Sequence, residues 1–219
     1  MLFLNALFLA LFWVMQSALC LPGTTVPHHT SPYNGAPANL TWEGHLTENG
    51  PTVSFTGESL ADIGAQIAKV APDFVFPEPL VLVQQSRSPR RLLPRARAHP
   101  LEKNSEHRML CDQVVSGYAD FYHVLDQAAQ LQAMPGFCRV SPTPDGAPLS
   151  CNRLTCAEGS AVFLCNHSNN HDSISTCERV GQYAQEIIEW CYDGASTTDV
   201  KGQIYDGDYW SVMVHADTC

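Results

Sequence analysis

The first clear hydrophobic pattern in the chain is an alternation of apolar and polar positions between residues 41 and 55. Residues 41–46 and 52–55 alternate on either side of Asn49-Gly50. Alternation of period two indicates half-buried strands, and Asn-Gly between two such runs is typical of a tight turn. The pattern therefore predicts a β-hairpin.

A helical pattern follows the hairpin directly. Ser59 and Asp62 resemble an N-terminal capping box, and Pro72 ends the segment. The apolar residues on one helical face are Leu60, Ile63, Ile67 and Val70. Hairpin and helix together predict a small β-β-α unit with little core of its own. We expect this unit to pack on the rest of the protein or to assist its folding, and a small permanent domain is the alternative.

The C-terminal half predicts helix, strands, helix and hairpin in that order. The segments are an amphipathic helix at 112–133 with Val114, Tyr118, Phe121, Leu125 and Ala128 on one face, a buried strand at 160–165, a helix at 175–191, and strands at 200–205 and 209–215 flanking Asp206-Gly207-Asp208. This order predicts an α+β fold, an antiparallel sheet with two helices packed on one face.

Residues 1–20 have the pattern of an export signal. An apolar run from Leu2 to Val14 is followed by small and polar residues that end at Cys20. The run is shorter than the roughly 18 to 20 apolar residues that a spanning helix needs. We therefore predict a secreted, extracellular protein without a stable membrane span.

The cysteines indicate disulfides. The chain has nine, and removal of a signal at Cys20 leaves eight: Cys111, Cys138, Cys151, Cys156, Cys165, Cys177, Cys191 and Cys219. An even, dense set in an exported chain predicts up to four disulfides. Cys177 and Cys191 lie almost four turns apart on one predicted helix, so each must pair outside it. The close pair Cys151 and Cys156 has no zinc-site partners at the usual spacing, so we expect no metal and no cofactor.

Residues 86–97, SRSPRRLLPRAR, divide the chain into two parts of different charge. Residues 21–97 carry six basic and six acidic residues, whereas residues 98–219 carry six basic and sixteen acidic ones, which accounts for the net charge of −10. Arg90-Arg91 is a dibasic site of the kind that kexin-type proteases cut, and Arg97 offers a second site nearby. The alternative is a basic patch for nucleic acid or lipid, but the block has no aromatic interleaving and no helical period.

These signals predict three segments. Residues 1–20 form the signal peptide, residues 21–97 a propeptide with the β-β-α unit and an Arg- and Pro-rich linker, and residues 98–219 the mature disulfide-stabilised domain. Two glycosylation sequons begin at Asn39 and Asn166.

The run from Cys156 to Cys219 resembles the killer-toxin-like effectors, small cysteine-rich proteins secreted by filamentous fungi. The resemblance lies in GSAVFLCN, CERVGQYAQEIIEWC and VKGQIYDGDYWSVMVHADTC, and in WEGHL, TGES and APDF of the N-terminal part. It implies a kexin-processed precursor whose mature part is an α/β sandwich. Several killer toxins are basic, whereas this mature unit is acidic, which argues against a membrane-directed toxin.

The histidines are the candidates for catalysis. His123 is on the first predicted helix, His167 and His171 are in a loop, and His215 ends the last predicted strand. A pair of them with Glu158 would do the acid–base work of a secreted ribonuclease. Such an enzyme needs a cationic pocket, which only Arg139, Arg153 and Arg179 would supply. His167, His171 and Asp172 would alternatively hold a metal, although a solvated loop is the simpler interpretation.

Four aromatic residues suggest a surface for stacking on sugars. They are Trp190, Trp210, Tyr205 and Tyr209. Core packing is the simpler expectation for Trp190, because it stands beside a cysteine at the inner edge of its helix.

The leading hypothesis is a secreted effector or toxin-like protein that is matured by proteolysis and acts by binding. Its partner would be an extracellular or cell-surface protein, and we expect no nucleic-acid partner. The alternatives are a small secreted hydrolase such as a ribonuclease, and a self-associating wall protein. The sequence identifies no catalytic residue.

Overall fold

A computed structural model describes residues 39–76, 107–111, 117–143, 149–192 and 198–219. The predicted signal at 1–20 and the arginine block with Arg90, Arg91 and Arg97 lie outside these residues.

The described chain contains three helices and eleven strands, all paired antiparallel. In chain order they are β1 (Leu40–His45), β2 (Thr52–Gly57), α1 (Leu60–Val70), β3 (Arg108–Leu110), β4 (Ala119–Asp120), α2 (Phe121–Ala133), β5 (Phe137–Val140), β6 (Ser150–Ala157), β7 (Ser160–Asn166), β8 (Ser173–Thr176), α3 (Cys177–Cys191), β9 (Asp199–Val200), β10 (Gly202–Asp206) and β11 (Trp210–Ala216). The predicted α+β class is confirmed.

The larger sheet carries the two long helices on one face. Its strand order is β3-β10-β11-β7-β6. Leu164 and Val212 on the inner face share one core with Val124 of α2 and Ile187 of α3. The predicted arrangement of two helices on one face of an antiparallel sheet is therefore confirmed.

The second sheet combines the N-terminal hairpin with two strands from the middle of the chain. Its order is β2-β1-β5-β8, so the N-terminal hairpin joins strands that lie after α2 and before α3. The predicted β-β-α unit is present as β1, β2 and α1. A two-stranded pair, β4 with β9, completes the fold.

The helix starts follow their capping residues. Ser59 Oγ accepts from the backbone N–H of Asp62 at 3.2 Å, and Thr176 caps α3 by accepting from Arg179 N–H.

The start of the helix predicted at residue 112 is wrong, because α2 begins at Phe121. Asp120 is its N-cap and accepts from Tyr122 N–H at 2.9 Å. Asp at the N-cap satisfies backbone donors that would otherwise lack partners, which places the boundary here.

All eight downstream cysteines form four disulfides, as predicted. The pairs are Cys111–Cys191, Cys138–Cys177, Cys151–Cys165 and Cys156–Cys219. Both ends of α3 are thereby tied to other elements, and each end pairs outside the helix. None of the four links involves residues 39–76. No helix among the described residues is long and apolar enough to cross a bilayer.

Candidate functional site

The N-terminal segment and the disulfide-bonded part meet along strands β1 and β5. Four residue pairs are in register, from Leu40 opposite Val140 to Glu43 opposite Phe137. Strand β1 is also paired along its whole length with β2. It therefore lies inside the sheet, with neighbours on both sides.

We call this contact between the two parts the seam, and Trp42 contributes a buried side chain to it. Its side chain is fully buried, and its indole Nε1–H donates to the carbonyl of Pro135 at 2.9 Å. Phe74 and Phe76 pack against the ring, with centroids 6.0 and 5.5 Å away. A buried tryptophan needs a partner for its N–H as well as apolar surroundings, and this site supplies both.

Gly136 allows the backbone of strand β1 to approach closely. Its φ is +92°, a left-handed conformation that favours glycine. A Cβ at this position would meet the carbonyl oxygen of Glu43 and the indole nitrogen of Trp42. The Pro135-Gly136 pair therefore follows the end of α2 and also contacts Trp42 and Glu43 of strand β1.

Helix α1 extends the seam. Leu60, Ile63 and Ile67 are buried and belong to the same core as Val140 and Leu154 of the disulfide-bonded part. The last predicted position on this face is different, because Val70 is exposed. The helix thus contributes three apolar side chains to a shared core rather than forming a core of its own.

The solvent-facing side of the four-stranded sheet is a surface that we call the composite face. Phe137 of β5 and Ile174 of β8 are each 48 % exposed on it. Between them Arg139 donates to Glu43 at 2.6 Å and lies 3.6 Å from Asp172. Exposed aromatic and aliphatic side chains beside a paired charge are typical of protein-binding surfaces.

A cavity of about 580 Å³ opens where the two parts meet. The N-terminal segment contributes Leu60 and Phe76 to its lining, and the disulfide-bonded part contributes Met134 and the Cys156–Cys219 link. The lining of this cavity therefore comes from both parts.

A cluster of polar side chains surrounds Tyr183 of α3. Its hydroxyl donates to Asp206 Oδ2 at 2.5 Å and accepts from Arg179 at 2.8 Å, while His107 Nδ1 lies 2.9 Å away. Trp210 stacks on the ring at 5.0 Å. Burial, followed by the bond to Asp206, raises the pKa of Tyr183 above its usual value, so this hydroxyl keeps its proton. Sequence reasoning missed this cluster.

A second member of that neighbourhood is Glu186. Burial raises the pKa of its carboxyl group, and the charges of His107 and Arg179 oppose that rise. The cluster thus links the segment around His107 to α3 and to the end of β10.

The structure separates the histidines proposed for acid–base catalysis. His123 is on α2, which packs on the inner face of the larger sheet. His215 lies on the opposite face, stacked on Phe163 with ring centroids 4.3 Å apart. Because the sheet stands between these two side chains, they do not form one ribonuclease-like site.

His167 contacts a serine, which the sequence had not indicated. Its Nε2 lies 2.8 Å from Ser211 Oγ, and Gln203 donates to the same hydroxyl. A serine beside a histidine is the arrangement of an activated nucleophile. Ser211 is fully buried, however, so a substrate has no access to its hydroxyl in this conformation.

The three candidate arginines do not make a common cationic pocket. Arg139 pairs with Glu43 and Asp172. Arg153 pairs with Asp217 at 3.0 Å, and Arg179 lies 3.8 Å from Asp206. Each charge is compensated locally by a carboxylate, which leaves no described arginine cluster for a phosphodiester.

The four aromatic residues proposed for sugar stacking have different environments. Trp210 is buried under Tyr183, whereas Tyr209 is 70 % exposed. Tyr205 packs near His167. The expectation of core packing for Trp190 is wrong, because its side chain is 44 % exposed. It lies two positions beyond Ile188, the last of the buried residues on α3.

The two sequons have opposite environments. Asn39 is exposed, whereas Asn166 is fully buried. The Asn166 amide donates to the carbonyls of Val140 and His171 at 3.0 and 2.8 Å. A glycan on that nitrogen does not fit this arrangement. Within the described ranges, no group of three metal-binding side chains is assembled.

No family model, curated protein or solved structure matches this chain.

We expect acid to destabilise the fold through His215. Burial lowers the pKa of its imidazole below the usual value, and its Nε2 has no hydrogen-bond partner among the described residues. The unfolded chain therefore binds a proton at a higher pH than the folded one, so stability is full above the ordinary histidine pKa and falls as pH drops below it. Denaturant titrations between pH 7 and pH 5 should show a smaller loss in His215→Phe. His171→Gln, an exposed control, should retain the loss of the parent protein.

Proposed function

We propose that the protein is secreted, is cut within the arginine block and acts by binding a partner outside the producing cell. The observation that carries this proposal is the position of the four disulfides, all of which lie between Cys111 and Cys219. Disulfides of this density are typical of oxidising, extracellular environments. A cut at Arg91 or Arg97 breaks no covalent cross-link.

The resemblance to killer-toxin-like fungal effectors supports the proposal of a secreted protein that is processed by proteolysis. Those proteins are processed at dibasic sites and owe their rigidity to disulfides. The acidic character of residues 98–219 favours a protein partner with a basic surface over an anionic membrane. The ribonuclease alternative receives no support from the positions of His123, His215 and the three arginines.

The composite face is the binding surface that we favour. Phe137 and Ile174 supply exposed apolar area next to the Arg139–Glu43 pair. A sheet face of this kind, with exposed apolar side chains beside a charged pair, suits a folded protein partner rather than a small ligand.

Processing is tested by expressing the whole chain in a fungal host and sequencing the amino terminus of the secreted protein. We expect an amino terminus at Leu92 or at Ala98, and eight oxidised cysteines. The double variant Arg90→Ala/Arg91→Ala, combined with Arg97→Ala, should be secreted uncut, whereas Arg87→Ala should be processed normally. A single uncut chain running from Leu21 to Cys219, or free thiols in the native product, would contradict the proposal.

Binding is tested with the labelled, processed protein on intact cells of candidate hosts and competitors. We expect saturable binding that falls about tenfold or more in Phe137→Ser/Ile174→Ser, because central apolar contacts dominate interfaces. The control Tyr209→Ser removes an exposed aromatic ring outside the composite face and should bind normally. Degradation of RNA by the processed protein, without saturable cell binding, would replace this function with the enzymatic one.

A further inference from the structure

We infer that the N-terminal segment stays bound after the arginine block is cut, so that the mature product is a two-chain protein held together without a covalent link. The cut itself rests on the proposed function. The retained chain contributes residues 39–76, and the disulfide-bonded chain contributes residues 107–219 as far as they are described. The segment predicted to be a discarded propeptide would then be a permanent subunit.

The backbone of the seam supports retention. Strand β1 lies between β2 and β5, and four of its residues are in register with β5. Loss of the segment would turn β5, which now has neighbours on both sides, into an unpaired edge strand. Unpaired backbone groups at an exposed edge favour renewed strand pairing, so the bound state is preferred.

The side chains of the seam support it as well. Leu40, Trp42 and Ile63 have no exposed surface, and Ile67 is only 1 % exposed. These four residues share one continuous core with the disulfide-bonded part. Dissociation would bring all of this apolar surface into water, on both sides of the seam.

The predicted cut sites are separated in sequence from the residues that make these contacts. Ten positions separate Phe76, the last described residue of the segment, from Ser86 at the start of the arginine block (86 − 76 = 10). Nine positions separate Ala98, the first residue after the block, from His107 (107 − 98 = 9). Cleavage at Arg91 or Arg97 therefore removes no contact described at the seam.

If the N-terminal segment is retained, both chains contribute residues to the composite face. Glu43 of the N-terminal segment pairs with Arg139 of the disulfide-bonded part, next to Phe137. A partner that binds this face would contact residues of both chains. A disulfide-bonded chain on its own would present only the β5 and β8 half, with Arg139 lacking Glu43.

The test uses the oxidised protein from Leu21 to Cys219, cut with a kexin-type protease. Reducing gels and intact mass confirm the cut, and size-exclusion chromatography with native mass spectrometry follows the two fragments. We expect one native species that contains both chains, and two separate chains in concentrated guanidinium without reductant. Elution of the N-terminal fragment alone under native conditions would overturn the inference.

A matched pair of variants tests whether the buried face holds the chains together. Ile63→Ala removes a fully buried side chain from α1, whereas Lys69→Ala changes an exposed one on the same helix. In the cut protein, Ile63→Ala should raise the dissociation constant about 30-fold or more. Lys69→Ala should change it by about twofold or less. Equal dissociation constants for the two variants would contradict the role of the seam.

Failure of the cut is distinguishable from failure of retention. If the kexin-type protease leaves the chain intact, the proposed maturation fails. The recognition sequence of a viral protease, substituted within 86–97, then provides the cut for the same chromatography. Co-elution of the fragments upholds the two-chain inference in that case, and separate elution overturns it.

Discussion

Replacing Trp42 with alanine should lower the free energy of unfolding of the uncut protein by about 3 to 5 kcal/mol. The indole is fully buried, packs against Phe74 and Phe76, and donates a hydrogen bond to Pro135. Its removal leaves a cavity at the seam and removes the hydrogen bond to the Pro135 carbonyl. Chemical denaturation followed by far-ultraviolet circular dichroism measures the change.

Thr52→Ala is the control for this substitution. Thr52 is exposed at the start of the edge strand β2, so its loss should change stability by only about 0.5 kcal/mol. Equal effects of Trp42→Ala and Thr52→Ala would show that the N-terminal segment does not share the core of the disulfide-bonded part.

Removal of the Cys111–Cys191 link by the double substitution to serine should cost about 4 to 5 kcal/mol. This disulfide closes the longest loop, with a sequence separation of 80, and therefore restricts the unfolded chain most. It also fixes the end of β3 to the last residue of α3. Denaturant titration of the oxidised variant and of the parent protein gives the difference.

The Cys151–Cys165 link is the matched comparison. It closes a loop with a separation of only 14 between two strands that already face each other in register. The serine double variant should lose about 3 kcal/mol on the same chain-entropy reasoning. A larger loss here than for Cys111–Cys191 would mean that native packing, rather than restriction of the unfolded chain, governs the contribution of these disulfides.

Local patterns were sufficient wherever a local interaction determines the structure. The Asn49-Gly50 turn, the Ser59 cap of α1 and the hairpin around Gly207 were all predicted and are present. The impossibility of a Cys177–Cys191 pair followed from helix geometry alone, and both residues do pair elsewhere. In each case the determining residues lie within a few positions of one another.

The seam was not predictable in this way. Strand β5 has four residues, Phe137–Val140, and its pairing with β1 joins positions almost a hundred residues apart, as the Trp42–Pro135 hydrogen bond shows with a separation of 93. Nothing in a period-two pattern specifies which strand lies next to which. The Tyr183 cluster escaped for the same reason, because it joins residues from three elements.

The start of α2 was missed for a different physical reason. The apolar spacing continues through Tyr118, but Asp120 accepts the backbone N–H groups of Tyr122 and His123 and so ends the preceding strand β4. A capping side chain favours a helix start at its own position over continuation of the helix beyond it. The spacing of apolar residues alone does not show where that start lies.

Amide hydrogen exchange of the cut, oxidised protein tests most directly whether the two parts share one fold. We predict that peptides covering Leu40–His45 and Phe137–Val140 keep the protection that they have in the uncut protein, because each strand supplies the other's hydrogen-bond partners. Exchange of both peptides at the unprotected rate after cleavage, with α3 still protected, would contradict the account.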